Sequence, residues 1–568
     1  MAPSPHDPSA TAAPALDLAA QHRVAAALLR SLRTQSLAGT VALIETHISL
    51  VLLAGPLAYK IKKAVNLGFL DFTTLAQRRF YCDEELRLNR RVAPALYLDV
   101  VPVTGTPEQP AFGGTGAVID WAVRMRSFAQ DGLWDRLASR GALGPAHIDA
   151  LVQSLCALHE RAAVAGPSDE CGLAAQVRAP VLDTLQALGT LGTAPAERAA
   201  VEDLRQWEAR SFAGLHSHFD ERLRQGWVRE CHGDLHLGNV TEVDGRTTLF
   251  DCLEFSAALR WTDVMSDVGF MAMDLLAHGL PRLAHRFING SVERSGDVTG
   301  LRVLRYHMVY RALVRAKVAA LRVTQLGADT PPPERAGASS AWQRYLAVAQ
   351  ACSRHPPPAL ILTHGCSGSG KTLLSQSLLE QCGAIRLRAD VQRKRLFGLP
   401  ALARGDAALQ ARLYSPAATD ATHARLRDAA ALALTCGYSV ILDATFLAHA
   451  HRQQARALAD RLGVGFAIID FQASANTLRR RVQQRSQRQD DASDAGLSVL
   501  EDQLAGAQPL HANEQAAVFV FDAEPEFDEA GMAARWAPLS QRLGLAPVAP
   551  LQNSRVVPQA APGRSQAA

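Results

Sequence analysis

Aromatic residues make up only 6% of the 568 residues, and no apolar run approaches the ~20 residues that a membrane-spanning helix needs. The longest apolar stretch, around 50–59, is broken by Gly55 and Pro56 and cannot span a bilayer. No sign of charge dominates: 59 Lys and Arg against 55 Asp and Glu leave a formal net charge of +4. Acids and bases are interleaved, so the basic stripe that drives sequence-independent nucleic-acid binding is missing and nucleic acid is not the expected partner. Nine cysteines, at 82, 156, 171, 231, 252, 352, 366, 382 and 436, form no CxxC pair and no Cys/His zinc spacing. Reduced thiols in a cytoplasmic setting are the simplest expectation. Residues 1–16 contain Asp7 and lack the apolar core of a secretory signal.

What remains is globular, with 48% hydrophobic and 20% charged residues. At ~100–200 residues per domain the length implies two to four units. Two proline-rich seams, 327–340 and 355–358, are candidate boundaries; the first reads as a surface loop, the second as a junction, with a helix at 341–353 between them. Ahead of the junction, strand patterns at 40–44, 50–53 and 58–61 precede a helix over 74–91 and strands at 96–103 and 117–123. Long helical patterns such as 147–163 and 301–323 follow, so a small β-rich lobe precedes a helical one. Beyond the junction strands at 359–363, 385–388, 439–443, 465–471 and 517–521 alternate with helices at 371–380, 418–435, 449–462 and 477–488. That alternation predicts a parallel, doubly wound α/β sheet after a first domain of α+β type.

The sharpest motif is Gly365-Cys366-Ser367-Gly368-Ser369-Gly370-Lys371-Thr372, a G-x-x-x-x-G-K-[ST] run placed after a strand and opening a helix. Its glycines let backbone N–H groups turn inward around phosphate oxygens, and the helix N-terminus adds positive potential. Lys371 would reach the β- and γ-phosphates of ATP, and the Thr372 hydroxyl would ligate Mg²⁺. Asp443 ends a neighbouring apolar strand, where an acid can hold the metal's water shell, with Thr445 close by. Asp390 and Arg393, after the second strand, suit an acceptor site: the carboxylate takes a hydroxyl proton and the guanidinium holds substrate or the moving phosphoryl group. Arginines 479, 480, 481, 485 and 488 lead into a polar loop at 490–494; Arg485 is the candidate lid residue. These motifs resemble small-molecule kinases of the gluconate and shikimate kinase type, and also the zeta-toxin and polynucleotide kinase group, over about 355–545.

In the first half, His232-Gly-Asp234-Leu-His236-Leu-Gly238-Asn239 is followed, after a turn at Asp244-Gly245, by Asp251-Cys252-Leu253-Glu254. An acid that can act as base on a hydroxyl, an amide oxygen five residues on, and a further acid after a hairpin form a metal-phosphate constellation. The run is similar to the catalytic loop of the aminoglycoside phosphotransferase and choline kinase superfamily. The resemblance implies Asp234 as catalytic base, Asn239 and Asp251 as Mg²⁺ ligands, and His232 as a buttress. Lys60 resembles the kinase lysine that meets the α- and β-phosphates, with Lys62 at the same strand parity. Glu85 is the candidate orienting carboxylate and Glu84 its rival. Asp263 and Asp267 match an acid-bearing helix that holds the loop or touches the acceptor; holding it is the favoured role. No G-x-G-x-x-G turn precedes Lys60; residues 45–49 stand in its place.

The order of the two halves resembles bacterial fusion proteins described as aminoglycoside phosphotransferase-like plus ATP-binding kinase-like. It implies a tail at 1–20, a kinase-like domain at 21–354, a P-loop kinase domain at 355–547 and a tail at 548–568. The expected activity is ATP- and Mg²⁺-dependent phosphoryl transfer to hydroxyls of small molecules, away from membranes. The competing expectations are a nucleotide-dependent regulator with a degraded first half, and a polynucleotide 5′-kinase in the second.

Overall fold

The computed structural model describes residues 16–34, 41–68, 70–166, 169–192, 194–326, 332–354, 356–403, 406–488, 492, 493, 495–525 and 529–545. The tail expected at 548–568, most of that at 1–20, and the loop acids Asp490, Asp491 and Asp494 lie outside them. The chain forms two compact units: Met1–Leu143 with Gln153–Leu173 and Arg222–Asp267, and Gly144–Val152 with Ala174–Glu221 and Val268–Ala568. The expected junction at residue 355 is not among the described residues, and the second unit runs through it.

The first unit is built on a six-stranded antiparallel sheet. Its strands are β1 (Val41–Glu45), β2 (Ser49–Ala54), β3 (Leu57–Lys62), β4 (Tyr97–Gly105), β5 (Pro110–Phe112) and β6 (Val118–Arg126), in the order β1-β2-β3-β6-β4-β5. The helix Leu18–Thr34 begins inside the stretch expected as a tail and buries Val24, Leu28 and Leu32 against Leu50, Leu52 and Ile61. A second cluster joins Cys82, on the helix Leu75–Asn89, to Tyr97, Val123 and Met125. That helix starts at Thr74, whose side chain accepts from the Gln77 amide while Gln77 reaches back, a capping box worth ~1 kcal/mol. After β7 (Val228–Glu230), the hairpin β8 (Val240–Val243) and β9 (Arg246–Leu249) turns at Asp244 and Gly245, both at positive φ (50° and 71°). β10 (Trp261–Asp263) pairs with β7.

In the second unit five strands, β11 (Ala359–His364), β12 (Ile385–Arg388), β13 (Val440–Asp443), β14 (Gly465–Gln472) and β15 (Val518–Asp522), form a parallel sheet in the order β12-β13-β11-β14-β15. Covered on both faces, the central strand β11 opens with an unbroken apolar run: Ala359, Leu360, Ile361 and Leu362 are fully buried. The core gathers Ile361, Leu378, Ile441, Ile469 and Phe521 around Trp536, carried by the helix Glu529–Leu543. The chain reverses direction of winding about β11, and the crevice for a ligand opens at the carboxyl ends there. The helix Pro281–Ser295 belongs to this unit and docks on the helix Lys371–Cys382: His285 Nδ1 lies 2.7 Å from the Glu380 carbonyl, and Asn289 Oδ1 accepts from the Arg386 amide at 2.7 Å.

A loop expectation also fails. Residues 332–340, read as part of a loop, are helical within Pro332–Cys352. Prolines in the first turn forfeit no intrahelical hydrogen bond, and the Glu-Arg-Ala residues that follow favour helix.

Candidate functional site

In the second unit the loop Gly365–Thr372 leaves β11 and enters the helix Lys371–Cys382. Gly365, Gly368 and Gly370 take φ of 133°, 86° and 82°. A Cβ on Gly368 would lie 2.7 Å from the Leu478 carbonyl, so glycine is required by space as well as by φ. Ser367 N–H is held by Gln503 Oε1 at 2.7 Å. Lys371 folds over the loop, its Nζ donating to the carbonyls of Gly365 and Cys366, both at 2.8 Å. Burial there lowers its pKa to about 8, with Asp443 partly opposing the shift.

Thr372 Oγ1 donates to Asp443 Oδ2 at 2.8 Å, joining the end of the loop to the end of β13. Two hard oxygens at the foot of an amide-lined loop fit Mg²⁺ beside a phosphate chain. Gly368, Gly370, Lys371, Thr372 and Asp443 line a cavity of about 570 Å³, and so do Asp390, Arg393, Thr445 and Arg485. Arg393 Nη1 donates to Asp390 Oδ1 at 2.8 Å and the guanidinium lies 4.5 Å from the Tyr414 ring centroid. Arg485 Nη2 donates to the Ala495 carbonyl, which ties the Ala475–Arg488 helix to the following segment. Arg479 instead forms a half-exposed pair with Glu501 and takes no part in the cavity wall. Tyr414 and Gln503 carry no sequence signal that would have singled them out, and Arg386 and Arg388 stood only as strand residues.

In the first unit Lys60 and Lys62, neighbours on one face of β3, both reach Glu85. Lys60 Nζ donates to Glu85 Oε1 (2.8 Å) and Asp251 Oδ1 (2.6 Å); Lys62 Nζ donates to Glu85 Oε2 (2.7 Å) and to Glu254. Burial opposes the charges of Lys60, Lys62 and Glu85, yet the two ammonium groups hold Glu85 well below its usual range, and Asp251 and Glu85 hold Lys60 well above its own. Glu84 sits elsewhere, paired with Arg87 and Arg260. Asp251 has φ of 61°, an unfavourable conformation for a non-glycine residue, and its amide donates to the Tyr97 hydroxyl. Asn239 Nδ2 donates to the Asp234 carbonyl (2.9 Å) and to Asp234 Oδ2 (3.2 Å), so Asp234 and Asn239 share one corner.

Asp267 is the hub behind that loop. Its carboxylate accepts from the His232 and Gly233 amides at 2.9 and 3.0 Å and lies 3.0 Å from His159 Nε2. Burial would raise its pKa, but His159 and the charge of His232 keep it at about 2. His159, Cys231 and Asp267 are close enough together to hold a metal ion. The observed bonding argues against that use: Asp267 is saturated by donors, and the Cys231 thiol, buried and donating to the Thr262 carbonyl, is pushed far from the thiolate form a metal requires. His232 Nε2 lies 2.9 Å from the Phe250 carbonyl and so braces the strand end before Asp251. Asp263 is bound by Arg222 and caps the Met265 amide, a structural duty.

The parallel sheet, glycine loop and Thr372–Asp443 pair define a nucleotide-binding fold of the P-loop class, and a family model described as "AAA domain" matches residues 360–510. The chain belongs to the family of the uncharacterized protein Rv2004c of Mycobacterium tuberculosis (strain ATCC 25618 / H37Rv), to which it is 31% identical over 433 residues, covering 76% of this chain and 83% of that one. Among solved structures, a choline/ethanolamine kinase family protein from Mesorhizobium loti is similar over 58% of this chain and 99% of its own (15% identity, TM-score 0.34). A gluconokinase from Sinorhizobium meliloti 1021 is similar over 34% of this chain and 98% of its own (20% identity, TM-score 0.24). Among the described residues no helix is long and apolar enough to cross a membrane.

Proposed function

We propose that the protein is an ATP- and Mg²⁺-dependent phosphotransferase with two kinase-like modules joined near residue 355, each acting on a hydroxyl of a small molecule. The observation that carries the reading is the 2.8 Å contact between Thr372 and Asp443 in the same cavity as Lys371, Asp390 and Arg393. In the second module the amides of Gly365–Thr372 and Lys371 would hold the triphosphate, and Thr372 and Asp443 would hold Mg²⁺. The ion, when bound, supplies positive charge to the phosphate oxygens.

Asp390 takes the proton of the acceptor hydroxyl. The acceptor oxygen bonds to the γ-phosphorus as the bond to the β–γ bridging oxygen breaks, and ADP leaves with that electron pair. Arg393 orients Asp390, and Arg485 offsets the charge spread over the transferring group. In the first module Asp234 has the proton-accepting role, Asn239 and Asp251 the metal, and Lys60, steered by Glu85, the α- and β-phosphates. Lys60 bridges Glu85 and Asp251 at 2.8 and 2.6 Å, the arrangement that a metal-binding Asp and a phosphate-binding Lys need to share one nucleotide.

The test is an untargeted screen of purified protein with Mg·ATP and a metabolite extract, followed by mass spectrometry for the gain of one phosphate. Each module should yield its own product, one lost in Asp234→Ala and the other in Lys371→Ala. Products that persist in both variants would refute the assignment.

A further inference from the structure

A second cavity, of about 440 Å³, shares no residue with the one at the P-loop. It is walled by the helices Pro195–Arg224 and Leu301–Gln325 and by the carboxyl end of the helix Pro416–Thr435. Its charged lining is of one sign: Arg210, His218, Arg302 and Arg305 face it, and no carboxylate does. Ser211 adds a hydroxyl and Cys436 a half-buried thiol.

The arginines are held without being neutralised. Arg302 Nη1 lies 2.7 Å from His218 Nε2; a guanidinium only donates, so the imidazole accepts and brings no negative charge. Arg305 Nη1 donates to the carbonyls of Cys352 (3.3 Å) and Arg354 (3.1 Å), and its guanidinium lies 5.0 Å from the Tyr438 ring centroid. Among the described residues no carboxylate lies within ion-pair distance of Arg210, Arg302 or Arg305. Two acids of the helix Pro195–Arg224 touch residues of the lining. Glu208 is taken by Arg178 at 2.9 Å and by the Tyr306 hydroxyl at 3.0 Å, and Glu221 lies 3.6 Å from His218 Nδ1. Glu208 is matched by Arg178, so Glu221 alone is left to set against Arg210, Arg302 and Arg305, and the cavity keeps an excess of positive charge. Burial raises the Cys436 thiol while Arg302 and Arg305 both pull it back, so the two charges act at one wall.

Like charges gathered in a concave site repel one another and concentrate the field there, and an oxyanion relieves the repulsion. Guanidinium groups also match carboxylate and phosphate oxygens two by two. We infer that this cavity binds a small molecule carrying a phosphate or carboxylate group, held by Arg302 and Arg305 with the exposed Arg210 at the rim. His218 is a positioning residue for Arg302. The site draws on both halves of the sequence: Cys436 falls within residues 360–510, whereas the three arginines precede them. It stands independently of the phosphotransferase reading.

The test uses the full-length protein with saturating Mg·AMPPNP, which keeps added anions out of the P-loop. Inorganic phosphate and citrate are titrated at constant ionic strength, with chloride as the control. Alkylation of Cys436 by iodoacetamide, read by peptide mass mapping, locates the binding, because that thiol lines this cavity and Cys171 does not. Phosphate or citrate should slow alkylation of Cys436 about tenfold once the anion exceeds its Kd about tenfold, and leave that of Cys171 unchanged. The arm that saturates at lower concentration identifies the oxyanion. Arg302→Gln and Arg305→Gln should each raise the anion concentration needed about tenfold or more. If either variant fails to fold, Arg210→Gln, at an exposed position, decides the matter with a weakening of about threefold or more. No protection beyond chloride, protection unchanged in the variants, or calorimetric anion binding that leaves Cys436 unprotected would overturn the site. Failure of Mg·AMPPNP to bind would overturn the kinase reading alone, since Cys436 reports on this cavity in either case.

Discussion

Lys371 gives the nucleotide reading a proton-linked signature. Burial beneath the Gly365 and Cys366 carbonyls sets its pKa at about 8, so near pH 8 half of the molecules carry a neutral amine. A triphosphate placed against Nζ favours the ammonium, and binding must then draw a proton from solvent: about 0.1 per site at pH 7, about 0.5 at pH 8 and about 0.9 at pH 9. The sign follows from linkage: the free protein binds fewer protons than the complex, so affinity falls as pH rises and weakens about tenfold between pH 7 and pH 9. Lys60, held well above its ordinary value by Asp251 and Glu85, takes up nothing over this range, so the signal belongs to the second site alone. Calorimetric titration of Mg·ATP in two buffers of different ionisation enthalpy measures the uptake. Lys371→Arg is the control, because a guanidinium stays charged and should show none. Uptake independent of pH, or retained in Lys371→Arg, would refute the reasoning.

Glu85→Gln leaves Lys60 and Lys62 buried with one carboxylate fewer and should cost about 3–5 kcal/mol in a denaturant titration, with Mg·ATP lost from the first site only. Asp267 has its pKa depressed to about 2, so its contribution is present above about pH 4 and is lost as pH falls from 4 towards 2; Asp267→Asn should remove about 2 kcal/mol of that acid-sensitive stability in pH-dependent unfolding curves. Gly368→Ala combines φ of 86° with a 2.7 Å clash against the Leu478 carbonyl, and should destabilise by about 1–3 kcal/mol and weaken Mg·ATP binding at the P-loop. Thermal melts and nucleotide titration check it.

The second unit was the more legible. Every expected strand from 359 to 521 has a counterpart displaced by at most one residue at either end, because strands buried on both faces write themselves as short apolar runs between turns. The helices Ala389–Leu396, Leu497–Gly506 and Glu529–Leu543 went unseen, being short, charged or fixed by a few contacts such as Trp536 in the core. In the first unit strand parity left Lys60 and Lys62 equivalent, and the structure shows why: Glu85 takes both, and their second partners, Asp251 for Lys60 and Glu254 for Lys62, distinguish them. The place of Arg286 in the P-loop cavity wall had no local mark, since its partners Asp149 and Glu380 lie 137 and 94 residues away. Motif residues are readable because phosphate chemistry fixes their spacing; cavity walls are assembled by packing, which leaves no such spacing.

If one chain holds two magnesium-nucleotide sites, equilibrium titration with Mg·AMPPNP, read as stoichiometry, counts both. Two nucleotides should bind per chain, one after Lys371→Ala, one after Asp251→Ala and none in the double variant. A single nucleotide in the parent protein, or a stoichiometry unchanged by either substitution, would contradict it.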